Sequence, residues 1–365
     1  MSQKQYKIYN SYAGSFVEAL DDLLVDICAT ELTAVRIIFF GSPSDNDSYA
    51  MQRSTIEKRL KEQFTQTPMV AYIAQPPLCA TLVAEVTYVS KEEKIDYFDD
   101  YILINDSQIL SGAIYSSYSY GITQQSEHIF EHIQRILDKH NIPVDNIVRQ
   151  WNYIERITHI GDDGQHYQLF NDARSHFYNQ CKWDNGYPAA TGIGTQYGGV
   201  TVLFDALRIN GDSIAIDNPL QISAHAYSEQ VLINTSEAKK TTPKFERARY
   251  IAEKTPTIFI SGTAAIRGED SCREDAERQT ALTMENINQL VSLKNQVASG
   301  VTNPSEMKYA LLRAYIKQRE DFKQVQNWMQ IHYPTSQTIY LLADICREEL
   351  LIEIEGIAIE DNTKI

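Results

Sequence analysis

The sequence predicts an α+β protein with mixed α/β sheets, built from two tandem copies of one strand-and-helix pattern behind an N-terminal extension. Three observations predict it. The chain has 365 residues, about twice an ordinary single domain. Hydrophobic residues make up 43% and charged residues 22%, which are globular values and exclude a disordered, collagen-like or low-complexity chain. One phrase also occurs twice, as Ile109-Leu110-Ser111-Gly112-Ala113-Ile114 and as Phe259-Ile260-Ser261-Gly262-Thr263-Ala264. Corresponding points of the copies lie about 150 residues apart, and the loops absorb the variation.

The elements follow in order within each copy. The phrase itself is a short apolar run ending in Ser-Gly, which reads as a strand broken at glycine. A helix comes next, with Ile129, Phe130, Ile133, Ile136 and Leu137 at helical spacing in the first copy, and Ala276, Thr280, Met284, Ile287, Leu290 and Val291 in the second. Ser271-Cys272-Arg273-Glu274 has the spacing of a capping box for that second helix. Strands are expected over Ile147–Ile154 and Tyr309–Ile316. Second helices are expected around Leu169, Phe170, Ala173 and Phe177, and around Phe322, Val325, Trp328 and Met329. Each copy then reaches a Tyr-Pro, at Tyr187-Pro188 and Tyr333-Pro334, and closes with a strand over Gly199–Leu207 or Glu349–Ile359. The expected units are an N-terminal extension at 1–75, a first unit at 76–210 and a second, catalytic unit at 211–365. The extension carries an amphipathic stretch (Phe16, Leu20, Leu23, Leu24), a strand at Thr33–Gly41 and a charged helix near Arg53–Phe64. Pattern alone leaves open whether it completes a third unit or caps a sheet edge.

Charge and cysteine usage limit the partners. With 33 Lys plus Arg against 48 Asp plus Glu, the net charge is −15, which repels nucleic acid and anionic membranes. An anionic substrate then needs a local arginine pocket working against the global field. Five scattered cysteines with no CxxC pair read as free thiols in a reducing, cytoplasmic compartment. No apolar run approaches membrane-spanning length, and Met1–Asn10 has no apolar signal core. His128-Ile129-Phe130-Glu131-His132 matches an H-x-x-E-H zinc pattern, but its helix already has an apolar face and its counterpart carries no histidine, so no metal is expected. Gly192–Gly199 is glycine-rich without dinucleotide or Walker spacing, and reads as backbone that approaches a ligand or the facing copy.

The repeat unit resembles the RidA (YjgF-like) family through Ser261-Gly262-Thr263, Gln279-Thr280, Glu285-Asn286-Ile287 and Ile352-Glu353-Ile354-Glu355. The tandem pair resembles the chorismatase family more closely. That likeness rests on Arg149-Gln150-Trp151-Asn152-Tyr153-Ile154, the Tyr167–Tyr178 block, Pro188–Gly194, Ile260–Ala264, and Ala343–Arg347 followed by Ile352–Glu355. The resemblance implies β-sheet units with two helices on one face, packed as a pseudo-oligomeric barrel within a monomer. It also implies an enzyme without cofactor that releases pyruvate from the enolpyruvyl ether of chorismate, leaving 3-hydroxybenzoate or a 3,4-dihydroxycyclohexa-1,5-diene carboxylate. A RidA-like imine deaminase using Arg347 and a non-catalytic binder of aromatic acids are the alternatives.

Cleavage of an enol ether starts with a proton delivered to the methylene carbon. A carboxylic acid does this near neutral pH if a poorly solvated site raises its pKa. The resemblance makes Glu353 that acid. Strand alternation places Glu353 and Glu355 on one face, which pattern alone leaves open to a solvated surface as well as to a site. The corresponding place in the first copy is near the apolar Leu203, as a single active site would require. Cys346, seven residues earlier, goes with the hydroxybenzoate-forming subfamily, whereas Ala264 goes with the hydrolysing one. Arg174 and Arg247 are candidates for the two substrate carboxylates. Tyr153, Tyr167, Gly262, Thr263 and Tyr227 are further candidate pocket residues. The family's arginine after Gln221-Ile222-Ser223-Ala224 is absent here, where His225-Ala226-Tyr227 stands instead.

Overall fold

The computed structural model describes residues 3–209, 211, 213–222, 242–268 and 270–362. The described residues form three large sheets, each with helices on one face, and two short two-stranded hairpins. The first contains β1 (Gln5–Ser11), α1 (Phe16–Cys28), β2 (Thr33–Phe40), α2 (Asn46–Gln63), β3 (Met69–Ile73) and β4 (Leu82–Val89). The second contains β5 (Ile95–Tyr97), β6 (Tyr101–Ile104), β7 (Gln108–Ser111), β8 (Ile114–Tyr115), α3 (Ile122–Lys139) and β9 (Ile147–Glu155). It continues through a small hairpin of β10 (Ile160–Gly161) and β11 (Gly164–Gln165) to α4 (His166–Tyr178), β12 (Ala189–Thr195) and β13 (Val200–Leu207). The third contains β14 (Ser213–Ile216), β15 (Ala248–Ile251), β16 (Thr257–Ala264), and a hairpin of β17 (Ile266–Arg267) and β18 (Asp270–Ser271). It then runs through α5 (Ala276–Val291), α6 (Leu293–Ala298), β19 (Met307–Ile316), α7 (Phe322–His332), β20 (Thr338–Leu342) and β21 (Ile352–Glu360).

The three sheets share one connectivity. Their common strands are ordered β1-β4-β2-β3, β7-β13-β9-β12 and β16-β21-β19-β20. In each, the second and third strands of the unit pair in parallel and the others pair antiparallel. The first 75 residues therefore supply three strands and both helices of a third sheet, which β4 completes; a boundary at residue 75 falls inside that sheet. The parallel strands β12 and β20, between each Tyr-Pro and the closing strand, were not legible as separate elements. The capping box expected at Ser271–Glu274 is absent: Asp275 caps α5 by accepting from the Arg278 amide, and Ser271 lies in β18.

Each sheet is apolar on both faces because it separates two cores. The outer faces pack on the helices. Leu20, Leu23 and Leu24 serve the first unit, Ile129, Phe130 and Ile133 the second, and Met284, Ile287 and Leu290 the third. The inner faces meet in one shared core that includes Phe40, Ile73, Trp151, Ile193, Leu203, Tyr315 and Leu341. The sheets remain separate ladders, joined by isolated bridges such as Pro77 to Leu341 and Ala189 to Glu246. The expected barrel is thus three sheets around a common core, without one continuous ring of strand pairing among the described residues.

Charge is buried in that core in a cyclic pattern. Arg36 of β2 pairs with Asp205 of β13 at 2.5 Å, Arg149 of β9 with Glu355 of β21, and Arg313 of β19 with Glu85 of β4 at 2.6 Å. Each unit thus offers an arginine on its second strand to a carboxylate on the last strand of the next. The three guanidinium groups lie 4.8, 4.6 and 5.6 Å from the Trp151 ring, within cation–π range.

Candidate active site

A cleft opens where the second unit meets the third. One wall is α4, which presents Tyr167, Asn171 and Arg174 from successive turns of one face. The floor is β12, through Ala190, Thr191 and Gly192. The other wall comes from the third unit: Phe245 and Arg247 before β15, Gly262 and Ala264 in β16, Cys346, Arg347 and Leu350 in the β20–β21 loop, and Glu353 in β21.

The Ser-Gly break makes room for the carboxyl group. The β16–β21 register shifts between Ile260 and Thr263, so this strand bulges at Ser261-Gly262. Ser261 is tied down by its hydroxyl, which donates to the Glu246 carbonyl at 2.6 Å and accepts from the Ala190 amide at 2.9 Å. The Gly262 amide donates to the Thr191 hydroxyl at 3.0 Å. A Cβ built on Gly262 would collide with Oε1 of Glu353, so glycine is required for the carboxyl group to lie against the backbone here.

Glu353 and Glu355 are both buried yet differ in charge. Among the described residues, no hydrogen bond reaches the Glu353 carboxyl group. Burial, reinforced by the charge of Glu355 and opposed by Arg247, pushes its pKa up to about 8. Burial also acts against ionisation of Glu355, but there Arg313 and Arg149, with bonds from Thr191 and Tyr315, outweigh it and hold the carboxylate below its usual range. Burial thus favours the neutral form of Glu353, while the two guanidinium groups favour the charged form of Glu355. The corresponding carboxylates of the first and second units are Glu85 and Asp205. Two residues before them, on the same strand faces, stand Val83 and Leu203, both in the shared core. Only the third unit therefore places a carboxyl group at this position.

The remaining cleft groups are polar and poorly solvated. The Cys346 thiol is pushed up to about 12 by burial and then by Glu353, so it remains a neutral thiol. Burial, and next the neighbouring Cys346, raise the Tyr167 hydroxyl. Arg174 is 2% exposed. Its Nη2 donates to Asn171 Oδ1 at 2.6 Å, while its Nε has no hydrogen-bond partner among the described residues. A buried guanidinium with spare donor capacity suits a ligand carboxylate. Arg247 donates from Nη2 to the Ile222 carbonyl at 2.6 Å.

Of the residues singled out in the sequence, the cleft brings together Glu353, Cys346, Arg174, Arg247, Tyr167, Gly262 and Ala264. Two stand elsewhere. Tyr153 faces the shared core, where its hydroxyl accepts from Arg313 Nη1 at 3.2 Å, because strand alternation turns it inward. Thr263 is fully buried and donates to the Ser261 carbonyl at 2.9 Å, the backbone-bonded turn residue that its position also allowed. Tyr227 and His225 lie outside the described residues. His128 and His132 take separate partners, Ser116 at 3.2 Å and Asp100 at 3.0 Å. Thr191, Gln168 and Asn171 also line the cleft and are not among the residues singled out in the sequence. Helical spacing from Tyr167 and Arg174 could have found Asn171; Thr191 lies in the Pro188–Gly194 block that carries the resemblance, but nothing in that block singles it out from its neighbours.

Comparison with known proteins places this architecture. Residues 85–206 match the family model described as Chorismatase FkbO/Hyg5-like, N-terminal. A 3-hydroxybenzoate synthase of Streptomyces hygroscopicus is 30% identical over 222 residues, 58% of this chain and 63% of that protein. A chorismatase of Streptomyces rapamycinicus is 30% identical over 224 residues, 58% of this chain and 64% of that protein. The matches thus span a little under two thirds of the length of these curated relatives. A solved chorismatase structure aligns with a TM-score of 0.75 at 22% identity, covering 98% of both chains. The chain is thus similar in sequence to part of these proteins and shares the fold of the solved chorismatase. No helix among the described residues is long and apolar enough to cross a membrane.

Proposed function

We propose that this protein cleaves the enolpyruvyl ether of chorismate, with Glu353 as general acid. The observation that carries the reading is a buried carboxyl group, with no hydrogen-bond partner among the described residues, in a cleft that also holds three arginines, Arg174, Arg247 and Arg347. Arg174 and Arg247 come from different units and suit the two carboxylates of the substrate. Glu353 delivers its proton to the enol methylene carbon and leaves an oxocarbenium ion, which its own carboxylate then faces. Water adds to that carbon to give a hemiketal, which breaks between the former enol carbon and the ring oxygen, so that the oxygen stays on the ring as a hydroxyl, a proton returns to Glu353 and pyruvate departs. Attack by the neighbouring ring hydroxyl gives a cyclic ketal instead. It opens by breaking the ring bond to that hydroxyl's oxygen with loss of the proton on the ether-bearing ring carbon, and the aromatic hemiketal then releases pyruvate. Trapping by water consumes one water molecule and yields the dihydroxycyclohexadiene carboxylate. Formation of 3-hydroxybenzoate consumes none overall, because chorismate has the atoms of 3-hydroxybenzoate plus pyruvate.

Cys346 beside Glu353, and the name of the Streptomyces hygroscopicus relative, favour 3-hydroxybenzoate; Ala264 speaks for the hydrolytic product. As a neutral thiol, Cys346 serves as a compact polar wall against the ring rather than as a nucleophile. The test is incubation of the purified protein with chorismate, following pyruvate by a coupled assay and the ring product by chromatography. The expected result is pyruvate plus one of the two acids, lost in Glu353→Gln while the circular dichroism spectrum is kept. Absence of pyruvate from the wild-type protein would overturn the reading. Ammonia release from an amino-acid-derived imine would transfer it to the deaminase alternative; Arg347, which that chemistry would use, lines the cleft and donates to Ser271 at 3.0 Å.

A further inference from the structure

We propose that Glu355, clamped as a carboxylate by Arg149 and Arg313, is a positioning residue that keeps the proton on Glu353. The inference rests on the reading of Glu353 as the acid and adds a second residue to that role. Of the three buried arginine–carboxylate pairs in the shared core, this one alone receives two guanidinium groups among the described residues. Arg149 reaches Glu355 Oε2 from the second unit, and Arg313 Nη1 reaches Oε1 at 2.5 Å from within the third. Arg313 is itself neutralised on its far side by Glu85, which accepts from Nε and Nη2 at 2.6 and 2.7 Å. A carboxylate in this setting does not titrate near neutral pH. It is a permanent negative charge two residues along the strand, on the same face as Glu353, in a site shielded from water.

The clamp is also connected to the cleft. Thr191 donates its hydroxyl proton to Glu355 Oε2 and accepts from Arg149 Nη2 at 2.8 Å and from the Gly262 amide at 3.0 Å. Gly262 is the residue against which Glu353 lies. A continuous chain therefore runs from the arginine ring through Glu355 and Thr191 to the backbone under the acid. Tyr315 completes it by donating to Glu355 Oε1, and it stands opposite Glu353 in the β19–β21 register. Facing Glu353 from the other elements are Arg247 before β15, Cys346 and Arg347 of the β20–β21 loop, and Arg174 and Tyr167 of α4. The cations among them favour ionisation of Glu353. Glu355 is the group within this set that opposes them.

The experiment is a substrate-free titration of the wild-type protein labelled with 13C at the glutamate side-chain carboxyl. The Glu353 resonance is assigned by its disappearance in Glu353→Gln. In Glu355→Gln the midpoint of Glu353 is expected to fall by about one pH unit or more, because Arg149 is left uncompensated while Arg313 keeps its pairing with Glu85. In Glu355→Asp, which keeps the charge, it stays near the wild-type value. If Glu355→Gln does not fold, Arg149→Gln tests the same coupling with opposite sign, since removal of one cation moves the midpoint upward. Chorismate turnover is measured in parallel. Its alkaline limb follows the midpoint, and a purely structural role of Glu355 would change stability without moving that limb. An unmoved midpoint in folded Glu355→Gln and Arg149→Gln overturns the proposal. A moved midpoint in a protein that releases no pyruvate sinks the chorismate reading and leaves the coupling standing.

Discussion

At the scale of single residues, Glu353 binds its proton more tightly in the folded chain than in the unfolded one. An unfolded glutamate titrates near 4.3, while burial, then the charge of Glu355, takes the folded group up to about 8. The folded state therefore holds the extra proton between those values. The stabilisation is fully present below the unfolded pKa and is lost as pH rises through about 8. Urea unfolding at pH 5 and pH 9 should show the wild-type protein losing more stability over that interval than Glu353→Gln, by roughly 1–4 kcal/mol. Pyruvate release should likewise be flat below pH 8 and fall above it, as the acid loses its proton. Gly262→Ala should cost activity about tenfold or more while leaving the fold intact, because its Cβ collides with a side chain that must move off the reacting position; an unimpaired variant would mean that Glu353 does not act from this rotamer.

At the scale of elements, the helices were the most legible features, since their apolar faces repeat at helical spacing, as in α3 and α5. Their ends were less so. The Ser-x-x-Glu pattern before α5 was a decoy, because β18 pairing claims Ser271 and leaves the capping role to Asp275. Asp275→Ala should therefore lower stability by about 1 kcal/mol, measured by thermal unfolding, whereas Ser271→Ala should change it much less. Strands β12 and β20 escaped because a short parallel strand has no hairpin turn to announce it, and β12 carries glycines at 192 and 194 where a strand pattern is weakest. These glycines have a packing reason: Tyr167 lies 3.1 Å from a Cβ built at Gly192, and Asp344 lies 2.9 Å from one built at Gly194. The β12 floor of the site was hidden for the same reason.

At the scale of the whole molecule, the three units cannot be stable separately. Each inner sheet face is apolar and finds its partners only in the other two. Calorimetry should therefore record one unfolding transition rather than two or three. The ring of buried arginines adds a specific cost to any break in it. Asp205→Ala leaves Arg36, which is 2% exposed, without its carboxylate, and should destabilise the protein by about 3–5 kcal/mol. Replacement of both partners by apolar residues should recover most of that loss.

The sequence by itself determined the repeated strand–helix pattern, the Ser-Gly break, the family resemblance and the pairing of Glu353 with Glu355 on one strand face. All of these are periodicities or spacings carried by neighbouring residues. Only the tertiary structure decided that the N-terminal segment completes a third unit, that Arg149 and Arg313 both reach Glu355, and that Glu353, two residues away on the same strand face, is buried without such partners. Those outcomes depend on groups more than a hundred residues apart in the chain, such as Arg149 and Glu355. They are set by which of those groups share a water-poor core, and no local pattern records that.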